Sequence, residues 1–383
     1  MGMPLDGVRV VDLTFNISGP YGTMILADLG ADVVKVERPD GDDARRMAPV
    51  HGDGSAYYFA INRNKRSVTL DIKADADRAR VWELLARADV FVTNMVASKL
   101  TALGLDFESV NARCPRTIYA DITGYGVGGS EGDRPGYDMV LQARSGLMSV
   151  TGEQGRPPVR VGVSILDMGA GLWLALGVLA ALRLRETTGQ GSRVSTSLLE
   201  VGAAYMAYDL AAYELTGMRP EPRGSGHPAF APYAVFRAAD GFVAIGVGAD
   251  RLFVRLAAAL ARAEWVEDPR FATNEDRVRN RDALRTEIES RLAEAPVAEW
   301  VERLRAAGVP VDEAADVARV LDDPQLASVQ AWLEIPIGEG ATLRQPGLPI
   351  RLGGRRPPVR RAPPGPGEHT GEVFEGEGGE GGT

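Results

Sequence analysis

Val8-Arg9-Val10-Val11-Asp12-Leu13 is short, β-branched and apolar on both faces, and it reads as a buried strand. The turn Gly19-Pro20 follows, residues 21–29 have helical composition, Gly30 stops them, and Val33-Val34-Lys35-Val36 reads as a second strand. Strand, helix and strand within about 30 residues make a βαβ unit. Working outward, the pattern recurs. Residues 67–72, Val90-Phe91-Val92-Thr93 and Thr117-Ile118-Tyr119-Ala120 are strand candidates, and residues 74–87 have helical spacing with Val81, Leu84 and Leu85 on one face. This alternation predicts an α/β domain built on a largely parallel sheet.

Past residue 216 the pattern changes. Residues 217–232 are rich in Gly, Pro and Arg and read as a linker. Residues 233–236, the turn Asp240-Gly241 and residues 242–247 predict a β-hairpin. Helical segments follow over 252–263, about 277–293 and 297–307, the last ended by Gly308 and Pro310. Residues 233–330 are therefore expected to form a second, smaller α+β domain. Residues 333–352 carry weak strand signals, and residues 371–383, rich in Glu and Gly, are expected to form a disordered tail.

The 383 residues include 52 acids and 43 bases, a formal net charge of −9. That field repels phosphate and argues against a nucleic-acid partner. Cys114 is the single cysteine, and His51, His227 and His369 are scattered, so neither a disulfide nor a Cys- or His-based metal site is expected. The first residues lack a basic n-region and an apolar h-region, so no signal peptide is expected. The apolar run over 168–182, closed by Arg183, is too short for a membrane span and reads as a buried core helix. The expectation is a soluble, cytoplasmic protein without a membrane partner.

Among the motifs, Gly124-Tyr125-Gly126-Val127-Gly128-Gly129 formally satisfies G-x-G-x-x-G. A dinucleotide site needs those glycines to open a helix, whereas Ser130-Glu131-Gly132-Asp133-Arg134-Pro135-Gly136 cannot be helical. The run reads as a glycine loop. Asp167, delivered by the apolar run Val161-Gly162-Val163-Ser164-Ile165-Leu166, stands where small residues start a buried helix. Two readings are open: a helix N-cap, or a carboxylate kept ionised by the helix N-terminus and available as a covalent nucleophile. Arg38 is either a phosphate ligand or a surface ion-pair partner of Glu37 or Asp40. Asn62-Arg63-Asn64-Lys65-Arg66 is either solvated surface or a contact for a polyanion.

Taken in order, several segments resemble the class III coenzyme A-transferases, the CaiB–BaiF or formyl-CoA transferase family. They are Leu5-Asp6-Gly7-Val8-Arg9-Val10-Val11-Asp12-Leu13, Gly19-Pro20, Leu29-Gly30-Ala31-Asp32-Val33-Val34-Lys35-Val36-Glu37-Arg38-Pro39, and Asn62-Arg63-Asn64-Lys65-Arg66-Ser67. Arg134-Pro135-Gly136-Tyr137-Asp138, Thr188-Gly189-Gln190-Gly191, Ala231-Pro232-Tyr233 and Gly367-Glu368-His369-Thr370 complete the set. The resemblance implies a Rossmann-like large domain (1–216, with 331–370 returning to it) and an inserted smaller α+β domain. It also implies an interlocked, ring-like homodimer.

The resemblance also assigns residues. Asp167 matches the family's nucleophilic aspartate. Ile17 and Ser18 fall in the loop before Gly19-Pro20, Arg38 matches the arginine that packs on the nucleotide end, and Leu70, Asp71, Ile72 and Lys73 match the strand end along the adenine and its phosphates. Asn94, Met95 and Val96 match a segment that the family usually continues with Pro-Gly. Here Ala97-Ser98-Lys99 follows instead, with Lys99 as the substitute contact. Tyr137 matches a pocket position beside the nucleophile, and Gly224-Ser225-Gly226 resembles the glycine loop that covers the active site. The implied substrates are an acyl-CoA and a small carboxylic acid, exchanged through aspartyl anhydride and aspartyl-CoA thioester intermediates, with backbone N–H groups near the Asp167 helix start or in the glycine loop as oxyanion donors. Coenzyme A enters as a substrate moiety, and no metal or redox cofactor is implied. Two alternatives share the fold: an α-methylacyl-CoA racemase, which would need a His where Tyr137 stands, and a non-catalytic CoA-binding protein.

Overall fold

A computed structural model describes residues 2–338 and 340–375. β1 (Arg9–Leu13), β2 (Asp32–Glu37), β3 (Lys65–Thr69), β4 (Val90–Thr93), β5 (Ile118–Thr123) and β6 (Arg193–Ser197) form one sheet in the order β3-β2-β1-β4-β5-β6. Every pairing is parallel, with Val10 opposite Val33 on one side and Val90 on the other. This is the doubly wound order whose direction reverses between β1 and β4. Both faces are covered, which is why the strands are near-continuous Val, Ile and Phe. Val10, Val33, Val90 and Val92 point into one cluster with Ile25, Leu26, Leu174 and Val178; Val11, Val34 and Phe91 point into the other with Val81, Leu84 and Leu85. The edge strand β6, Arg193-Val194-Ser195-Thr196-Ser197, lacked an apolar signal and escaped the sequence reading.

Two helices cover the first face, α1 (Ser18–Asp28) and the 24-residue α4 (Ile165–Thr188). They cross where Gly22 meets Gly171. A Cβ on Gly171 would lie 2.6 Å from the Ser18 carbonyl oxygen, and one on Gly22 2.8 Å from the Gly171 carbonyl oxygen. The buried core helix expected over 168–182 is longer and only partly buried. α4 is longer, is apolar and long enough to cross a membrane by length and composition alone, and exposes Leu172, Trp173, Leu176 and Leu184 on one side. Between α1 and α4 in the chain lie α2 (Asp75–Leu85) on the opposite face of the sheet and α3 (Asp138–Arg144). After α4 come α5 (Leu198–Tyr205) and α6 (Ala207–Thr216).

Residues 2–148, 160–218 and 327–375 belong to one compact unit; residues 149–159 and 219–326 belong to another. The small unit therefore includes a segment, 149–159, that sequence reading left within residues 1–216. Its ties are Gly224 N–H to the Gly152 carbonyl at 2.7 Å and Gln154 Nε2 to Glu221 at 2.7 Å. Its sheet is antiparallel, in the order β9 (Val311–Glu313), β8 (Phe242–Gly246), β7 (Tyr233–Arg237). α7 (Asp250–Ala259), α8 (Arg281–Leu292) and α9 (Val297–Ala306) pack Phe253, Leu256, Leu284, Ile288 and Trp300 around Val243 and Ile245.

The C-terminal segment closes the free edge of β3. Ser67 O accepts from His369 N–H at 2.9 Å, Ser67 N–H donates to His369 Nδ1 at 3.3 Å, and Thr69 N–H donates to Thr370 Oγ1 at 3.3 Å. α10 (Thr370–Glu375) then buries Val373 against the sheet. The expected disordered tail over 371–383 is thus corrected for residues 371–375, because one valine has a core position to fill; residues 376–383 lie outside the described residues.

Gly171→Ala should wedge α1 from α4. We expect a loss of about 1–3 kcal/mol, read as a lowered midpoint in denaturant unfolding, with Gly177→Ala, whose added Cβ meets the Val194 side chain rather than backbone, costing less.

Candidate active site

In open α/β sheets, ligands sit outside the carboxyl ends of the strands where the order reverses. Here that crevice is bridged by Asn94, which follows β4. Its Nδ2 donates to the Phe15 carbonyl at 2.8 Å and its Oδ1 accepts from Phe15 N–H at 3.1 Å, so it holds the loop after β1. Ile17 and Ser18 end that loop and start α1. Met95 N–H donates to Thr93 Oγ1 at 3.2 Å, and Val96 precedes the helix Ala97–Leu103, on which the exposed Lys99 makes no ion pair among the described residues. Asp71, Ile72 and Lys73 follow β3, where Asp71 accepts from Lys73 N–H at 3.1 Å. All of these lie along one edge, at the ends of β3, β1 and β4. Leu70 is 1% exposed, a core residue beneath that edge. Arg38 lies at the surface, ion-paired with Asp40 at 2.8 Å and with Asp43 rather than with Glu37.

Beneath the edge lies a buried network of charge. Lys35 pairs with Asp42 at 2.8 Å and donates to the Thr14 carbonyl at 2.8 Å; Lys65 pairs with Asp12 at 3.1 Å; Arg45 pairs with Glu37 at 2.6 Å. Asp42 accepts from Asn16 N–H at 3.0 Å, which pins the loop after β1 a second time. Burial opposes the charge on Glu37, yet the Arg45 hydrogen bonds and the Lys35 charge pull its carboxyl down to about 2. Burial brings the Lys65 ammonium down to about 8, against the charge of Asp12. Asn62, Arg63, Asn64 and Lys65 are all buried, with Arg63 on Asp28 at 2.7 Å. The run is therefore neither solvated surface nor an exposed polyanion contact. Its cations answer carboxylates that lie far away in sequence.

Asp167 occupies the third position of α4. It is not the N-cap. Ser164 holds that place without a side-chain hydrogen bond, and Asp138, at the start of α3, supplies the cap by accepting from Leu166 N–H at 2.8 Å and Asp167 N–H at 3.2 Å. Ile165 N–H is bonded to the Val163 carbonyl and Met168 N–H to the Ser164 carbonyl. The helix-start amides expected to serve a developing oxyanion are thus all engaged. The Asp167 carboxyl accepts no hydrogen bond among the described residues. Burial, with the charge of Asp138 added, raises it to about 7. The helix N-terminus was expected to keep it ionised; burial and the like charge of Asp138 push the other way. Tyr137, next to Asp138, is 69% exposed. Sequence reading missed Asp138 and Gln142 as site residues, since a cap contributed from 29 residues away leaves no local pattern.

In the small unit, Gly224-Ser225-Gly226 lines a cavity of about 870 Å³ with Arg223, Tyr233 and Arg281. Gly224 adopts φ +59°, a conformation that favours glycine. Ser225 Oγ accepts from Val235 N–H at 2.9 Å. Gly224 and Gly226 N–H groups are bonded to Gly152 and Arg223 carbonyls, and the Ser225 N–H donates to no protein group among the described residues. Gly124-Tyr125-Gly126-Val127-Gly128-Gly129 forms turns and bends after β5 and opens no helix.

Because Asp167 titrates near 7 when folded and near 3.8 when exposed, the folded form holds the extra proton between those values. Stability should therefore fall as pH rises through this window. Asp167→Asn should remove that slope, matching wild type near pH 4 and exceeding it at pH 8 by on the order of 2–4 kcal/mol, measured by denaturant unfolding across pH.

Comparison with known proteins gives a consistent result. The model of CoA-transferase family III matches residues 5–370. The chain is 38% identical over 360 residues to an acetyl-CoA:oxalate CoA-transferase of Acetobacter aceti, covering 94% of this chain and 91% of that protein. It is 36% identical over 375 residues to a human succinyl-CoA:glutarate CoA-transferase, covering 97% and 85%. The crystal structure of a CaiB/BaiF family protein from Brucella suis superposes with a TM-score of 0.89 at 35% identity, covering 98% of this chain and all of that one. With a doubly wound parallel sheet and a half-buried aspartate in the first turn of α4, the chain belongs to CoA-transferase family III.

Proposed function

We propose that this enzyme moves CoA from an acyl-CoA thioester to a free carboxylic acid, with Asp167 as the covalent nucleophile. The observation that carries this reading is a half-buried carboxyl that accepts no hydrogen bond among the described residues, raised to about 7, in the first turn of α4. The ionised carboxylate attacks the donor acyl carbon, forming a mixed anhydride and expelling CoA thiolate. The thiolate attacks the aspartyl carbonyl, giving an aspartyl-CoA thioester and releasing the donor acid. The acceptor carboxylate attacks that thioester, forming a second anhydride and again expelling thiolate, which then takes the acceptor acyl group and restores Asp167. Splitting the exchange this way replaces one difficult step with four easier ones. Each step exchanges one acyl bond for another, with no electron transfer and no metal called for.

The strand-end loops carrying Ile17, Ser18, Asn94, Met95, Val96 and Lys99, with Asp71, Ile72 and Lys73, are the proposed CoA cradle; Tyr137 sits next to the residue that caps α4. Relatives named for oxalate and glutarate support small dicarboxylic acids as acceptors and acetyl-CoA or succinyl-CoA as donors.

The working form is proposed to be a cytoplasmic, interlocked homodimer. α4 exposes Leu172, Trp173 and Leu176, and α6 buries none of its residues while exposing Tyr208, Leu210, Tyr213 and Leu215. A second copy is the occupant that such apolar faces call for.

Asp167→Asn should fold and lose nearly all transfer. Wild type incubated with succinyl-CoA and then hydroxylamine should yield a hydroxamate on the peptide containing Asp167; retained transfer in the variant, or a label on another carboxylate, overturns the mechanism. Light scattering should give about twice the 40.9 kDa chain mass across dilution, and a stable 40.9 kDa species at micromolar concentration overturns the dimer.

A further inference from the structure

Asp138 is 7% exposed, and both of its carboxylate oxygens are used. Oδ2 accepts from the N–H groups of Leu166 and Asp167, and Oδ1 accepts from Nε2 of the fully buried Gln142. Gln142 Oε1 in turn accepts from Val161 N–H at 2.8 Å. The relay has one polarity. Donors run from Val161 through Gln142 to Asp138, and two helix amides donate to Asp138 from the other side. Its head must be an acceptor on both oxygens, which a carboxylate is and an amide is not.

We propose that Asp138 is a positioning residue for Asp167, fixing through Gln142 the first turn of α4 and setting by its charge the pH range over which Asp167 reacts. This rests on the reading of Asp167 as nucleophile. A cap alone needs no acid: Ser164 already stands at the N-cap, yet its side chain makes no hydrogen bond there. Here the cap is an acid beside another acid, which costs repulsion. The return is a more basic carboxylate, which is a better nucleophile toward a thioester. The other charges on elements packed against α4 are otherwise engaged: Asp28 with Arg63, Asp121 with Arg193, Arg144 with Glu131, and Glu200 with Ser197. Tyr21 and Tyr205 are phenols, and Tyr21 is pushed above its ordinary range by burial. Asp138 is the charge that bears on Asp167.

The test compares Asp138→Asn, Gln142→Glu and the double variant. Three readouts are taken on the full chain: the Asp167 carboxyl titration by 13C NMR, assigned with Asp167→Asn; the pH profile of kcat; and amide hydrogen exchange at Leu166 and Asp167. Asp138→Asn puts an amide donor against a donor. Its Asp167 midpoint should fall by roughly one pH unit, both amides should exchange faster, and kcat should drop roughly 10–100-fold with KM for acyl-CoA little changed. Gln142→Glu leaves Asp138 in place and adds charge, so the midpoint should rise; this arm judges the charge even if Asp138→Asn unfolds. The double variant restores every donor–acceptor match and moves the charge one hydrogen bond away. It should recover slow exchange and a kcat within about threefold of wild type, while titrating below wild type. Unchanged titration in all three variants, or a double variant no better than Asp138→Asn, overturns the proposal. If Asp167→Asn retains transfer, the covalent mechanism fails, whereas the exchange and titration data still judge the cap.

Discussion

The large unit is organised around a constraint that apolar packing alone does not provide. Two lysines, an arginine and three carboxylates are sealed beneath the carboxyl edge of the sheet. Each buried ion loses several kcal/mol of hydration, and the loss is offset only if every ion finds its partner at once. Lys35 therefore reaches both Asp42 and the Thr14 carbonyl, and Lys65 reaches Asp12, the Pro20 carbonyl and Asn62. The by-product is a rigid loop after β1, because Thr14 and Asn16 are pinned by groups from β2 and the turn beyond it. The strand-end edge inherits its shape from those ion pairs.

Asp167 is built on the opposite principle. The network residues have their charges answered, whereas Asp167 has none, and its nearest charged influence is of the same sign. One half of the unit spends desolvation on order, and the other keeps a carboxyl reactive by withholding partners. α4 serves both ends. Its glycines let α1 approach closely at Gly22 and Gly171, and its first turn is tied to α3 rather than to its own cap.

Five strands of the main sheet were legible because their apolar runs, such as Val90-Phe91-Val92-Thr93, must be buried on both faces. β6 and β9 were not, since edge strands with polar faces look like loop. The basic run over 62–66 was misread for a related reason: its partners Asp12, Asp28 and Asp32 lie 34 to 53 residues away, and local composition cannot distinguish an answered cation from a solvated one. Asp167 stood out because an apolar run delivers it to a small-residue helix, but its environment did not. Burial and Asp138 are three-dimensional facts, and they act against the helix N-terminus. Gly367-Glu368-His369-Thr370, quoted only as a family signpost, acquires a physical reason in the hydrogen bonds it makes to β3.

That last contact has a consequence for biosynthesis. β3 is laid down in the first fifth of the chain, but the groups that satisfy its outer edge are some 300 residues downstream. Until the ribosome has delivered them, the nascent sheet presents an unprotected strand, the kind of surface on which other chains nucleate aggregation.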